Sequence, residues 1–290
     1  MNFRSLFFTS AGAPRAPWRL AFFTLAVILT GFVSVVVVAP FAQRIAAVAG
    51  LQAETVGSVV NVLGLVVATW VALRWLDRKP WRDVGLTRAA ARPRLIIGGF
   101  LIGGGAVAFP IVGLILAGWL RSTSGGASSV GHPIIRMTVL LLAAAFAEEL
   151  LTRGYLLTVL RDAWNWPAAV AVTSIAFGLM HLRNAGADTR SVILVTLAGV
   201  FLATIRIATG SLYAAWAAHF AWNWVMAAIF HTAVSGYAFD APGYRYVDAG
   251  PDWATGGVWG PEGGIPAGLA MIGATGLLLL RLKRRGERKG

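Results

Sequence analysis

The 290-residue chain contains no cysteine. This excludes disulfide frameworks, thiolate nucleophiles, zinc–thiolate centres and iron–sulfur sites together, and leaves any chemistry to oxygen and nitrogen groups. Charge is scarce too: 13% of the residues are charged, where a soluble domain carries roughly a quarter. Acids are the scarcer sign, 12 against 25 Lys and Arg. No polar stretch is long enough to build a core of its own, the longest being Arg74 to Arg94 and His231 to Gly263. No internal repeat stands out. What remains is apolar, 57% of the chain with 11% aromatic, which excludes intrinsic disorder and points to an integral membrane protein.

About 20 apolar residues cross the hydrocarbon core of a bilayer. Eight stretches qualify, near residues 20–39, 55–73, 95–120, 137–160, 166–182, 191–208, 211–230 and 264–280. The expected fold is therefore all-α, a polytopic membrane protein of about eight transmembrane helices, with residues 1–290 as one membrane domain. The first stretch follows Arg4, Arg15 and Arg19 as a signal peptide would, but its uncharged run from Leu20 to Ala39 is longer than a cleaved one needs, so it reads as an uncleaved anchor.

The net charge of +13 follows topology rather than nucleic acid, because the basic residues sit between apolar runs and not on a solvated face with readable motifs. With the N-terminus inside, only Arg44, Arg121, Arg136, Arg183, Arg190 and Arg245 fall outside, while the Arg74 to Arg94 loop and the tail from Arg281 to Lys289 fall inside. The positive-inside rule thus expects both termini in the cytoplasm, with phospholipid headgroups as partners of the excess charge.

Most stretches carry no chemistry. Gly99 and Gly103 in the third have GxxxG spacing, with Pro110 beyond, and read as a close helix contact and a kink. Asn61 in the second reads as an interhelical hydrogen bond. The fourth differs, because Glu148, Glu149 and Arg153 lie in an otherwise apolar run, and each charged group near mid-membrane costs roughly 2.5 to 3.5 kcal/mol on insertion scales. Glu149 and Arg153 are i and i+4, on one helical face and in the better order for an ion pair. Glu148 points about 100° away, with Thr152 at its own i+4 position, and is the carboxylate left free for proton transfer. A structural ion-pair network is the plainer reading of the same residues.

His181 ends the fifth stretch, and alone it reads more readily as a satisfied core or interface histidine than as a catalyst. His219 and Asn223 share a face of the seventh, one turn apart, where they supply either donors to a common point or helix–helix hydrogen bonds. His132 and His231 lie at or beyond the ends of stretches and read as bystanders. Trp164, Trp166, Trp222 and Trp224 read as interface belts and packing.

The ordered set Glu148-Glu149-x-x-x-Arg153, Phe177-x-x-x-His181 and His219-x-x-x-Asn223 resembles the three motifs of the CPBP intramembrane protease family, which includes CAAX prenyl endopeptidases of the Rce type and bacterial bacteriocin-processing or self-immunity proteins. The resemblance covers about residues 137–230, which would be the catalytic core helices, with the active site inside the bundle. The stretch from Gly250 to Gly264 also looks like a segment of bacterial members, without an assigned role. Carried over, the resemblance makes Glu148 the catalytic carboxylate and gives His181 the water. It makes His219 and Asn223 stabilisers of the oxyanion, and puts Glu149 with Arg153 in support of the site.

The family is commonly labelled as metalloprotease, and a metal-free route through a glutamate-activated water has also been proposed for it. Glu148, His181 and His219 would be an acceptable zinc set. The sequence lacks HExxH, and Asn223 is a poor zinc ligand but a good oxyanion donor, so the metal-free route is favoured with Zn²⁺ as the alternative. The implied substrate is a membrane protein or lipidated peptide. Two other classes share such residues: a non-catalytic immunity-type binding protein and a proton-coupled transporter. One conflict stands within the expected topology, since it puts His181 at the outer end of its stretch and His219 only about 13 Å from the inner end of its own at 1.5 Å per residue. Oligomeric state is not legible.

Overall fold

The computed structural model describes residues 4–10, 12–49, 53–124, 131–239 and 243–287. Arg288 and Lys289, placed in the inner tail by the topology above, lie outside the described residues, as does the side chain of His132. Among the described residues, five helices are long and apolar enough to cross a membrane. Four are α1 (Ala16–Val48), α2 (Val56–Asp77), α3 (Pro93–Leu116) and, further along the chain, Thr189–Thr209; the last is the C-terminal helix starting at Ile265. Between α3 and Thr189–Thr209 lie α4 (Gly131–Glu149), α5 (Leu157–Ala163) and α6 (Trp166–Met180), joined from α4 to α5 by a π-helical segment Leu150–Leu156. Thr189–Thr209 is α7, Leu212–Trp224 is α8 with a π-helical continuation Val225–Ile229, and Ile265–Glu287 is α9.

Helix thus occupies each of the eight expected stretches, but the three that carry the motifs are not among the five long apolar spans. α6 has 15 residues and α8 has 13, and the α4–α5 stretch contains buried charge. Other boundaries also shift. The first helix runs from Ala16 to Val48 and so continues past Ala39 through Pro40. The third stops at Leu116, and Leu120 instead begins a strand, β1 (Leu120–Ser124), which pairs antiparallel with β2 (Tyr244–Asp248). This two-stranded ribbon is the departure from an all-α fold.

Small residues set the helix spacing around the centre. A Cβ on Gly99 would lie 2.2 Å from the carbonyl oxygen of Ala214, and one on Gly103 would lie 2.0 Å from that of Ala218. The GxxxG spacing therefore holds α3 directly against α8. Gly178 against Thr196, and Gly199 against Ser174, bring α6 equally close to α7. Asn61, expected at a helix contact, is exposed. The largest core cluster joins α3, α4, α7, α8 and α9, through Ile111, Leu141, Phe201, Trp222 and Met271 among others.

At one end of the bundle, Arg19 grips Asp77 with two hydrogen bonds of 2.6 and 2.9 Å, while Lys79 and Arg161 share Asp162. At the other end, residues 250–264 fold into short turns of helix that bury Trp259 and Glu262. Two glycines with positive φ permit this: a Cβ on Gly256 would lie 1.8 Å from the oxygen of Gly260, and one on Gly260 would lie 2.2 Å from that of Ala233. The segment read as a polar loop is thus packed, with Trp259 joining Phe177 and Val195 in a small core of its own.

Candidate active site

Glu148 and Glu149 are the last two residues of α4, and Arg153 stands in the π-helical segment that follows. The pair expected from i,i+4 spacing is present: Arg153 Nη1 donates to Glu149 Oε1 at 2.9 Å, and both side chains are fully buried. The guanidinium also lies 4.1 Å from the centre of the Phe177 ring, which shields it from solvent. Thr152 turns back to donate to the Glu148 carbonyl and accepts a hydrogen bond from Arg153.

Glu149 does more than spacing suggests. The same Oε1 lies 3.0 Å from Nδ1 of His219 on α8, and a carboxylate can only accept, so Nδ1 carries the proton. His181, which caps the C-terminus of α6, has its Nδ1 2.8 Å from the carbonyl of Phe177, and the same reasoning puts its proton there. In the neutral form of each ring the lone pair then lies on Nε2. Those two Nε2 atoms each lie 3.9 Å from Glu148 Oε2.

The geometry around Glu148 is asymmetric. Its side chain keeps 29% of its exposure while Oε2 is buried, so one oxygen faces the histidines and the open side of the carboxyl lies elsewhere. A water at ordinary hydrogen-bond distance, about 2.8 Å, can bridge atoms 3.9 Å apart. Donors around a tetrahedral zinc at about 2.1 Å stand about 3.4 Å apart, closer than these. Among the described residues no group of three His, Cys, Asp or Glu side chains is arranged to hold a metal ion. Glu148, His181 and His219 as placed do not fit zinc.

The shortness of α6 bears on the conflict over depth. Its 15 residues rise about 22 Å, less than the roughly 30 Å of the hydrocarbon core. As a helix it ends short of that thickness, at His181, whose Nε2 and that of His219 on α8 both approach Oε2 of Glu148.

Both histidines also line a cavity of about 30 Å³, enough for one water, with Trp222, Asn223, Ser235 and Glu262 among its other walls. Asn223 thus shares a cavity with both histidines. Glu262 escaped the sequence reading. Its Oε2 accepts from Trp222 Nε1 at 2.8 Å, and its Oε1 accepts from the backbone N–H and hydroxyl of Ser235 at 2.7 and 2.6 Å. It ties the 250–264 segment to the residue beside Asn223. The only hint in the sequence is a carboxylate set among Trp, Gly and Pro. His231 stays apart, with Nδ1 on the carbonyl of Tyr244.

Residues 130–225, about a third of the chain, match the family of type II CAAX prenyl endopeptidases described as Rce1-like. No curated protein and no solved structure matches the chain. The matched segment contains all three motifs and supports the CPBP/CAAX protease family, whose members are hydrolases.

Proposed function

We propose, from the match of residues 130–225 to the CAAX protease family, that this integral membrane protein is an intramembrane endopeptidase that hydrolyses a peptide bond of a membrane-associated protein or lipidated peptide. The observation that carries the reading is the approach of Glu148 Oε2 to Nε2 of both His181 and His219, with each Nδ1 already engaged. In this reading the chain has eight spans, with both termini in the cytoplasm.

Glu148 is the general base. A water held between its Oε2 and Nε2 of His181 gives up a proton to the carboxylate as its oxygen attacks the scissile carbonyl carbon, and positioned base catalysis of this kind contributes typically 10² to 10⁴ in rate. The carbonyl oxygen becomes an oxyanion. Asn223 donates to it from its amide, and His219, which has taken a second proton from solvent before the attack, donates from Nε2. Before the attack, with Glu148 still ionised, that proton brings the cluster of Glu148, Glu149, Arg153 and His219 to zero formal charge, which favours it in a site screened from water. Glu148 then returns its proton to the leaving amine, breaking the C–N bond.

Two supports belong to this scheme. Glu149 holds His219 in its orientation as Arg153 balances its charge, an arrangement similar in logic to the acid that orients histidine in serine proteases. Trp222, fixed by Glu262, holds the α8 turn that presents Asn223. No step uses a metal.

The test is elemental analysis of purified, active protein alongside its hydrolytic activity. Full activity without stoichiometric metal supports the water route. Stoichiometric zinc, with activity lost to chelation and restored by Zn²⁺, would replace it by the zinc version of the same protease.

A further inference from the structure

Away from the catalytic cluster, the start of α3 and the C-terminal ends of α7 and α9 meet at one end of the bundle. An open cavity of about 540 Å³ lies there, lined by Arg92, Arg94 and Arg281 together with Thr209 and Leu278. It adjoins an apolar groove of about 370 Å³ between α3 and α9, the two sharing Ile102, Leu278 and Arg281. The groove reaches Phe109 on α3 and Ala270 on α9. From Ala270 to Arg281 the helix rises about 17 Å at 1.5 Å per residue. One leaflet of hydrocarbon is about 15 Å deep, half of a roughly 30 Å core. The groove therefore runs the depth of a single leaflet and ends at three guanidinium groups.

Two further observations distinguish this groove from ordinary helix packing. A Cβ on Gly105 would meet no atom within 4 Å, whereas Gly99 and Gly103 on the same helix are closed against α8. The face carrying Gly105 is open by the width of a side chain. The ion pairs at this end of the bundle use Arg19, Lys79, Arg82 and Arg161, and none of Arg92, Arg94 and Arg281 pairs with a carboxylate among the described residues.

We propose that this is a binding site for one anionic phospholipid, its phosphate held by Arg92, Arg94 and Arg281 and an acyl chain laid along the groove between α3 and α9. Guanidinium groups match phosphate oxygens in geometry as well as charge, and basic pockets between transmembrane helices suit phospholipid headgroups. A zwitterionic lipid would fill the groove but leave the three positive charges uncompensated. Because α3 is closed against α8 through Gly99 and Gly103, the bound lipid braces the helix that carries His219.

The test is native mass spectrometry of the full chain in non-denaturing detergent with equimolar dioleoyl phosphatidylglycerol and dioleoyl phosphatidylcholine. Each basic residue near an anionic headgroup is worth about fivefold in affinity, so the phosphatidylglycerol adduct should exceed the phosphatidylcholine adduct by at least roughly that factor. The Arg92→Gln/Arg94→Gln/Arg281→Gln variant, altered only at exposed positions, should keep its circular dichroism spectrum and retain both lipids equally. Gly105→Leu, which fills the groove, should lower adducts of both lipids. Inorganic phosphate at the same concentration should leave the lipid adduct in place. Equal retention by the wild type, an unchanged preference in the triple variant, or wild-type adducts in Gly105→Leu would each overturn the site. Displacement by inorganic phosphate would reduce it to a free-anion site.

Discussion

His219 donates from Nδ1 to the same oxygen of Glu149 that receives Arg153, so one buried carboxylate both balances a guanidinium and orients an imidazole. The two tasks can be separated. Glu149→Gln should destabilise the protein by about 3 to 5 kcal/mol, because it leaves the Arg153 charge buried without a partner. Adding Arg153→Met removes that charge and should recover most of the stability. Activity should stay low in both variants, since a neutral amide can accept from His219 but no longer supplies the negative charge that stabilises the protonated imidazole. Thermal unfolding and turnover measured on the same preparations check this. Recovery of activity together with stability would show that the pair is structural alone.

Asn223 shares a cavity with both histidines and stands one turn from His219. An oxyanion donor acts only as charge develops in the transition state, so Asn223→Ala should lower kcat by about 10² to 10³ with little change in KM. Steady-state kinetics on a peptide substrate decide it. A rise in KM at constant kcat would place Asn223 in substrate binding instead.

Glu262 accepts three hydrogen bonds and ties residues 250–264 to Trp222 and Ser235. Glu262→Ala leaves those donors without their acceptor, and each unsatisfied buried donor costs about 1 to 3 kcal/mol. Hydrogen exchange should rise across residues 250–264, and kcat should fall as Trp222 loosens beside Asn223. Wild-type protection in that segment would mean that Trp259 alone holds it.

Asp162 supports a pH prediction outside the membrane. Burial pushes its carboxyl upward, but hydrogen bonds from Lys79 and Arg161, with their charges, outweigh this and hold its pKa below the ordinary 3.8. A carboxyl whose pKa is lower in the folded state binds fewer protons there, so its contribution is fully present above the unfolded value and is lost as pH falls through the folded one. The stability gap between wild type and Asp162→Asn should therefore be constant at neutral pH and close as the pH falls below about 4. Denaturant unfolding from pH 7 downward measures it. A gap that persists to the lowest pH reached would remove the assigned cause.

Much of the site was legible because it is local. The Glu149–Arg153 pair follows from i,i+4 spacing, and the freedom of Glu148 follows from its place on another helical face. What was not legible depends on three dimensions. Nothing in the spacing of α8 says that His219 reaches Glu149 on α4. The depth of His181 depends on where α6 stops, and apolar length alone does not mark that end. Glu262 lies in a stretch rich in Gly and Pro, with no period to reveal that it folds inward. The fold shows the same division: apolar length located the helices, while the ribbon of Leu120–Ser124 with Tyr244–Asp248 rests on a pairing more than a hundred residues apart in sequence.

The central claim is that Glu148 takes the proton from the attacking water. Glu148→Gln keeps the shape of the side chain and removes the proton acceptor. The most direct measurement compares new protein termini in membranes of cells producing equal amounts of folded wild type and Glu148→Gln. The account predicts a set of cleavage sites present with the wild type and missing with the variant. The same termini at the same abundance in both would contradict it.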